Sequence, residues 1–312
     1  MTELSLPQLT KLLVSPSRIS TFQTCAMKHN YVYNLELLPV GKERKFFFDK
    51  GNYFHELAHV LYNNYKAGVE PGSDFARAQI LARIKNDVSR LEIPRDSHLI
   101  PVYAVISRAM VRYITEQSPK IDAGIMVMEV EHELEHEISE TLALFGYCDL
   151  IYRDSQGRLR LRDHKTGDRA WTKADARHSY QLLFYAVILW MLTGEVAVAE
   201  ISYINTKDQK SPITYDKAFT FSTVAYTERE LEIAYKTICK QIAKMLESEP
   251  IPYYASHCGY CAYETPCMLE RKGIDSSNVI SHSFVHVTRD SKRKHPSFSE
   301  STSHDSNDTS TN

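Results

Sequence analysis

The residues best suited to joint chemistry lie between Gly146 and Lys165. The segment reads Gly146-Tyr-Cys-Asp149-Leu-Ile-Tyr152, a short link, then Arg158-Leu-Arg-Leu-Arg-Asp163-His-Lys165. Both flanks alternate as strands do, and Asp154-Ser155-Gln156-Gly157 reads as a hairpin turn. A three-residue loop with Gly157 left-handed sets Asp154 opposite Arg158. That register puts Ile151 opposite Leu161 and Asp149 opposite Asp163. Side chains alternate along a strand, so Asp163 and Lys165 share a face with Leu161 and Asp149, while the arginines at 158, 160 and 162 point the other way. Two carboxylates and an amine then stand together on an otherwise apolar face, an arrangement able to hold Mg²⁺ or Mn²⁺ beside a phosphate. The Asp…Asp-x-Lys pattern is common, and a solvated strand end with a surface ion pair is its plainer reading. The apolar alternation, which turns the carboxylates inward, favours the metal.

The surrounding elements must position this hairpin. Ser17–Leu35 reads as a helix from its spacing of Ile19, Phe22, Met27 and Tyr31, and Lys50–Lys66 as a second, stopped by Gly68. Ser73–Leu91 and His98–Gln117 read as two more. Residues 125–138 and 142–165 read as strands, Ala174–Leu192 as a long helix ended by Gly194, and Val196–Asn205 and Ile213–Ser222 as further strands. Thr227–Ser248 is a last amphipathic helix before Pro250 and Pro252. The order implies an α/β core with a helical insertion near residues 70–120.

Cys258-Gly-Tyr-Cys261-Ala-Tyr-Glu-Thr-Pro-Cys267 packs three of the six cysteines into ten residues. Nothing points to an oxidising compartment, so metal binding is a better reading than disulfides. Three thiolates want a fourth ligand, and Cys25, in a polar helical setting, is the candidate. Cys148 and Cys239 read as small core hydrophobes. Thiolate tetrads hold zinc or an iron–sulfur cluster, and spacing alone slightly favours zinc. His55-Glu56-Leu-Ala-His59 matches the zinc metalloprotease pattern, with Glu56 as the base. The match is short, and no third protein ligand stands out.

Across 312 residues the hydrophobic share is 43% and the net charge −2. That allows one large domain or two small ones. It argues against an unspecific basic protein, though a local basic patch, for which Lys42, Arg44 and Lys45 are candidates, could still meet nucleic acid. The apolar run Leu182–Leu192 is too short to span a bilayer, and the N-terminus has no leader pattern. A cytoplasmic protein is expected. No internal repeat is evident. The Ser-, Thr-, Asp- and Lys-rich end of the chain is expected to be disordered.

The segments Ser15-Pro-Ser-Arg-Ile-Ser-Thr-Phe-Gln-Thr-Cys25, Gly51-Asn-Tyr-Phe-His55-Glu, Gly146-Tyr-Cys-Asp149, Asp163-His-Lys165-Thr-Gly167 and Gln181-Leu-Leu-Phe-Tyr185 stand in this order, followed by the three clustered cysteines. Together they resemble the motifs of RecB-family nucleases of the PD-(D/E)XK superfamily. The cysteine set resembles that of the iron–sulfur branch, which includes the CRISPR adaptation nucleases and the AddB-type recombination nucleases. The resemblance implies a restriction-endonuclease-like α/β fold, a mixed central sheet flanked by helices, over residues 15–270. It leaves residues 1–14 as an extension and 271–312 as a disordered tail. It implies a [4Fe–4S] cluster on Cys25, Cys258, Cys261 and Cys267, stapling the N- and C-terminal segments. It implies Mn²⁺ or Mg²⁺ on His55, Asp149, Asp163 and the backbone carbonyl of His164, with Lys165, Gln181 and Tyr185 completing the catalytic group. The implied substrate is DNA, single-stranded or with free ends. The implied partners are proteins of DNA repair, recombination or CRISPR adaptation, with no membrane. Ala26 stands where many relatives have Pro, and His164 where an aromatic or apolar residue is usual. Two other readings compete: a non-catalytic iron–sulfur DNA-binding scaffold, and the zinc protease.

Overall fold

The computed structural model describes residues 11–40, 46–90, 99–169, 171–206, 219–252 and 254–287, with backbone alone at 46–50, 88–90 and 99–102. The chain divides into two compact units, Met1–Ser20 with Lys42–Ser248, and Thr21–Gly41 with Glu249–Asn312. Lys42, Arg44 and Lys45 lie outside the described residues, as does most of the strand expected at Ile213–Ser222.

The first unit is built on a six-stranded mixed sheet. Its strands are β1 (Leu12–Val14), β3 (Met126–Ser139), β4 (Leu142–Arg153), β5 (Leu159–Gly167), β6 (Val198–Asn205) and β7 (Phe219–Ala225). β4 and β5 form the expected hairpin. Ile151 faces Leu161, and the Asp154 and Arg158 backbones are joined by a 3.0 Å hydrogen bond. Gly157 takes φ 77°, a conformation that glycine adopts without the steric penalty other residues meet. β3 runs antiparallel along one edge of β4, while on the other edge β1 takes Leu142–Leu144 and β5 takes Leu150–Arg153. Between them Phe145–Asp149 pair with no strand on that edge, among the described residues. β5 instead turns to β6, pairing in parallel from Arg160–Val198 to Gly167–Asn205. The two central strands therefore part just where Asp149 and Asp163 stand.

Helices cover both faces. On one lies α3 (Phe46–Lys66), joined by α4 (Asp74–Arg90), α5 (Leu99–Arg112), a π-helical turn at Tyr113–Gln117 and the short α6 (Ser118–Ile121). Phe54, Leu57, Leu61, Ile106, Met110 and Ile114 seal this layer against Leu150 and Ile204. On the other face lies α8 (Tyr180–Thr193), apolar all round, followed by the amphipathic α9 (Glu228–Glu247). The helix expected over Ala174–Leu192 is two. α7 (Lys173–Arg177) starts at a Thr172–Asp175 capping box, and Ser179, in extended conformation, caps α8 afresh by accepting from the Leu182 N–H.

In the second unit, α1 (Pro16–Thr24), which begins in the first, stops at Cys25. Cys25 is extended (φ −166°, ψ 114°) and its Sγ accepts from the Lys28 N–H, so α2 (Ala26–His29) begins there and runs into a π-helical turn at Asn30–Asn34. The single helix expected over Ser17–Leu35 is thus broken at its cysteine. The 3₁₀ turn Ser256–Tyr260, α10 (Glu264–Arg271) and α11 (Ser277–Ser283) follow, and β2 (Leu37–Pro39) pairs antiparallel with β8 (Phe284–His286). Tyr263 stacks between Tyr31 (5.4 Å) and Phe284 (5.3 Å). Residues 271–287, expected to belong to a disordered tail, instead carry α11 and β8: Phe284 is buried in this aromatic core, and β8 finds its ladder partner in β2. Residues 288–312 lie outside the described ones.

Gly146 shows how tightly α8 meets β4. A Cβ there would lie 2.4 Å from the Tyr185 ring. Gly146→Ala should cost about 1–3 kcal/mol in urea unfolding. Tyr185→Leu in the same chain should recover part of that loss, and a double-mutant cycle with no coupling would sever the contact.

Candidate active site and cysteine cavity

At the point where β4 and β5 part, Asp149 and Asp163 are brought together with Lys165, His55, Gln181 and Tyr185. The pairing stops at Leu150–Arg162, and in the next step the His164 N–H donates to Asp149 Oδ2 at 2.6 Å. His55, from α3, sets Nδ1 3.4 Å from Asp149 Oδ1. Lys165 Nζ stands 2.7 Å from Asp163 Oδ2 and donates to Gln181 Oε1 at 2.9 Å. Gln181 in turn donates from Nε2 to the Tyr185 hydroxyl at 2.9 Å, as i,i+4 neighbours on α8. Asp163 is 2% exposed at its side chain while Lys165 and His55 are 27% exposed each, so these two residues border solvent.

The electrostatics follow from two carboxylates held in one buried opening. For Asp149, burial favours the neutral form, but the His55 imidazole outweighs it and holds the carboxyl well below its usual range. Asp163 goes the other way: burial and then the Asp149 charge raise it, against the pull of Lys165. His55 loses by burial yet is raised to about 8 by Asp149. Burial opposes the charge on Lys165, and Asp163 restores it, so its pKa is raised. Asp163 Oδ2 is buried and accepts no aligned hydrogen bond despite the nearby ammonium. A buried carboxylate oxygen left this way suits a cation, and the donor set of two carboxylates and an imidazole suits Mn²⁺ or Mg²⁺. Among the described residues, no three His, Cys, Asp or Glu side chains are already drawn in to single-ion distance.

His164 enters this site by its backbone. Its ring turns to the opposite face, bonds Ser202 through Nδ1 and is pushed by burial down to about 3, so it stays neutral. The zincin pattern does not converge. Glu56 is held by Arg83 at 2.5 Å, and His59 pairs with Glu131 at 3.4 Å while His55 pairs with Asp149. Two imidazoles committed to two different carboxylates do not share one ion. Titration with Mn²⁺ should therefore separate them: His55→Ala should weaken binding roughly tenfold or more and His59→Ala hardly at all. Equal loss would restore the paired-histidine reading.

The second unit carries a separate cavity. Cys25, Cys258, Cys261 and Cys267 line one cavity with Met27, Tyr31 and Arg271. At the break between α1 and α2, Cys25 accepts the Lys28 N–H at its Sγ, and Lys28 lines the same cavity. No disulfide joins the six cysteines. Arg271 donates to Cys258 Sγ at 3.5 Å and lies 4.0 Å over the Tyr254 ring. Cys148 is fully buried in β4 and bonds the Leu150 carbonyl, and Cys239 lies on α9, so neither belongs to this cavity.

Sequence reasoning missed one group of residues. Arg162, expected only to point away from the carboxylates, is 0% exposed and bonds Glu200, Tyr62 and Tyr152. Glu200 and Ser202, two polar residues within the apolar strand Val198–Asn205, were the available signal that a buried polar partner lay opposite.

A family model described as the PD-(D/E)XK nuclease superfamily matches residues 13–268. Among solved structures, the chain is similar to a protein of Eubacterium rectale provisionally described as an exonuclease, with 14% identity and a TM-score of 0.42 over 80% of this chain and 88% of that one. It is also similar to SSO0001, with 14% identity and a TM-score of 0.30 over 70% of this chain and 93% of the other. Neither likeness is close enough to argue from. No curated protein matches significantly. The family match covers more than half of the chain and takes in the whole hairpin, both site helices and all four cavity cysteines, so the chain belongs to the PD-(D/E)XK nuclease superfamily.

Proposed function

We propose that this protein is a metal-dependent deoxyribonuclease that hydrolyses phosphodiester bonds of single-stranded or free-ended DNA as an exonuclease. The observation that carries the reading is the juxtaposition of Asp149, Asp163 and Lys165 where β4 leaves β5, in a chain of this superfamily. Asp149, Asp163, the His164 carbonyl and His55 are the groups that would hold Mn²⁺ or Mg²⁺. A divalent cation there supplies Lewis acidity and a water of lowered pKa. Lys165 lends positive charge to the scissile phosphate as negative charge builds on it. Gln181 fixes the Lys165 ammonium through its Oε1, and Tyr185 fixes Gln181. With no cation bound, His55 keeps Asp149 ionised, and it would release its proton to act as a ligand.

A [4Fe–4S] cluster on Cys25, Cys258, Cys261 and Cys267 is the second part of the proposal. Four thiols around one cavity, with a guanidinium donating to one sulfur, favour a thiolate-bound group. The cluster would serve structure rather than catalysis, by tying residue 25 to residues 258–267. The RecB-family resemblance extends the reading to a cytoplasmic protein with partners in DNA repair, recombination or CRISPR adaptation. Among the described residues, no helix is long and apolar enough to cross a membrane. The full complement of acidic and lysine positions disfavours a purely non-catalytic scaffold.

End-labelled single-stranded and duplex DNA incubated with Mn²⁺ tests activity and polarity together. Asp163→Asn and Lys165→Ala should each lower cleavage by about a hundredfold or more while both variants stay folded by circular dichroism. Cleavage by both at the wild-type rate would put the nuclease site elsewhere. Protein purified without oxygen should be brown and carry about four irons per chain. Cys25→Ser should lose colour and iron, while Cys148→Ser and Cys239→Ser keep both. Full iron content in Cys25→Ser would overturn the ligand set.

A further inference from the structure

Strand β5 presents Asp163 and Lys165 to one side and Arg162 and His164 to the other. The second side is as closed to solvent as the first: Arg162 is 0% exposed and His164 3%. A buried guanidinium must be both paired and hydrogen-bonded. Arg162 donates to Glu200 on β6, to the Tyr62 hydroxyl on α3 and to the Tyr152 hydroxyl on β4 at 3.0 Å. It also lies 3.4 Å from Asp122, to which Tyr113 and Ser118 donate. Three strands and the helical layer thus meet at one side chain.

Tyr62 has a second contact. Its ring stacks on the His164 imidazole, with centroids 5.7 Å apart and planes 10° from parallel. Ser202 fixes the same imidazole at Nδ1. His55 stands edge-on to it at 5.8 Å, and the His164 N–H bonds Asp149. An unbroken series of contacts therefore runs from Arg162 through Tyr62 and His164 to the two groups best placed to hold a cation.

We infer that Arg162 and Tyr62 are positioning residues: they hold His164, and through it His55 and Asp149, at the spacing the reaction needs. Apolar side chains of like volume would fill this space without the cost of burying charge. What they would lack is direction. An arginine bonded to Tyr62, Tyr152 and Glu200 allows the Tyr62 ring one setting, and that setting fixes the imidazole. The role rests on the nuclease reading and adds to it two residues that touch neither metal nor DNA.

The deciding pair is Tyr62→Phe and Tyr65→Phe in the full-length, cluster-loaded chain. Each removes one buried hydroxyl from the same layer. Tyr62 loses its bonds to Arg162 and Tyr113, whereas Tyr65 loses its 2.6 Å bond to Ser118 and keeps, as a phenyl ring, its edge-on contact with Tyr62. Cleavage of end-labelled DNA is followed with Mn²⁺, and Mn²⁺ binding is titrated separately without DNA. Tyr62→Phe should lower kcat about tenfold with KM for DNA unchanged, and weaken Mn²⁺ binding. Tyr65→Phe should keep both values while losing comparable thermal stability. Equal loss of kcat in the two variants, or none in Tyr62→Phe, would overturn the positioning role. A wild type that binds Mn²⁺ without cutting DNA would instead sink the nuclease reading, and the two Mn²⁺ affinities would then decide the positioning role alone.

Discussion

Two carboxylates in one buried opening repel each other, and that repulsion is the constraint on which the candidate site turns. Asp149 and Asp163 follow directly on the last paired residues of the hairpin, Leu150 and Arg162, and a one-residue slip of that register would exchange the faces of Leu161 and Arg162, taking the arginine from Glu200 and Tyr152. The charge is met from both sides of the sheet. His55 comes from α3 to Asp149, and Lys165, steadied by Gln181 of α8, to Asp163. Burial still sets the two carboxyls apart: the Asp163 pKa is raised while that of Asp149 is depressed by His55. A buried carboxylate pair whose counter-charges are a titratable imidazole and a lysine is suited to exchange a proton for a cation and to meet an anionic substrate.

The parting of β4 from β5 turns this constraint into an opening. Had the hairpin stayed paired as far as Gly146, the backbone of β5 would occupy the space in front of Asp149. Instead β5 is drawn off to the parallel strand β6, and β1 fills the far end of the β4 edge. Tyr185 leans into the same region against Gly146, where only a residue without a side chain leaves room for the ring. The parallel pairing of β5 and β6 requires a crossover, and α7 and α8 supply it. The helix that bears Gln181 and Tyr185 is thus a consequence of the topology that opens the site.

Much of this was legible in the chain. Gly157 and the alternation around it set the hairpin, and with it the pairing of Ile151 with Leu161, from local chemistry alone. The apolar stripe of α3 and the all-apolar α8 announced two covering helices. Other features depended on competition between local signals. Cys25 and Ser179 each lie inside a run of helical periodicity, and each breaks it because its side chain accepts a backbone N–H three residues on. Phe284 lay in a polar stretch, and its burial depends on Tyr263, far away in sequence, which no local pattern reports. Arg162 was misjudged for the same reason. Alternation says which way a side chain points, and only tertiary packing decides whether solvent lies there.

The buried arginine also gives physical meaning to the departure at His164. An apolar or aromatic residue at that position would need only a greasy neighbour. An imidazole needs a partner at Nδ1 and a neutral ring, and Ser202, Tyr62 and the surrounding burial provide both. Once a polar ring stands there, the strand position two residues before it on the same face can be polar too, because Tyr62 bridges them. Arg162, Glu200 and Asp122 then form a network in which removing the arginine would cost about 3–5 kcal/mol, the typical penalty for leaving a buried charge unpaired. The inner face of β5 is therefore held by directed bonds as well as by packing.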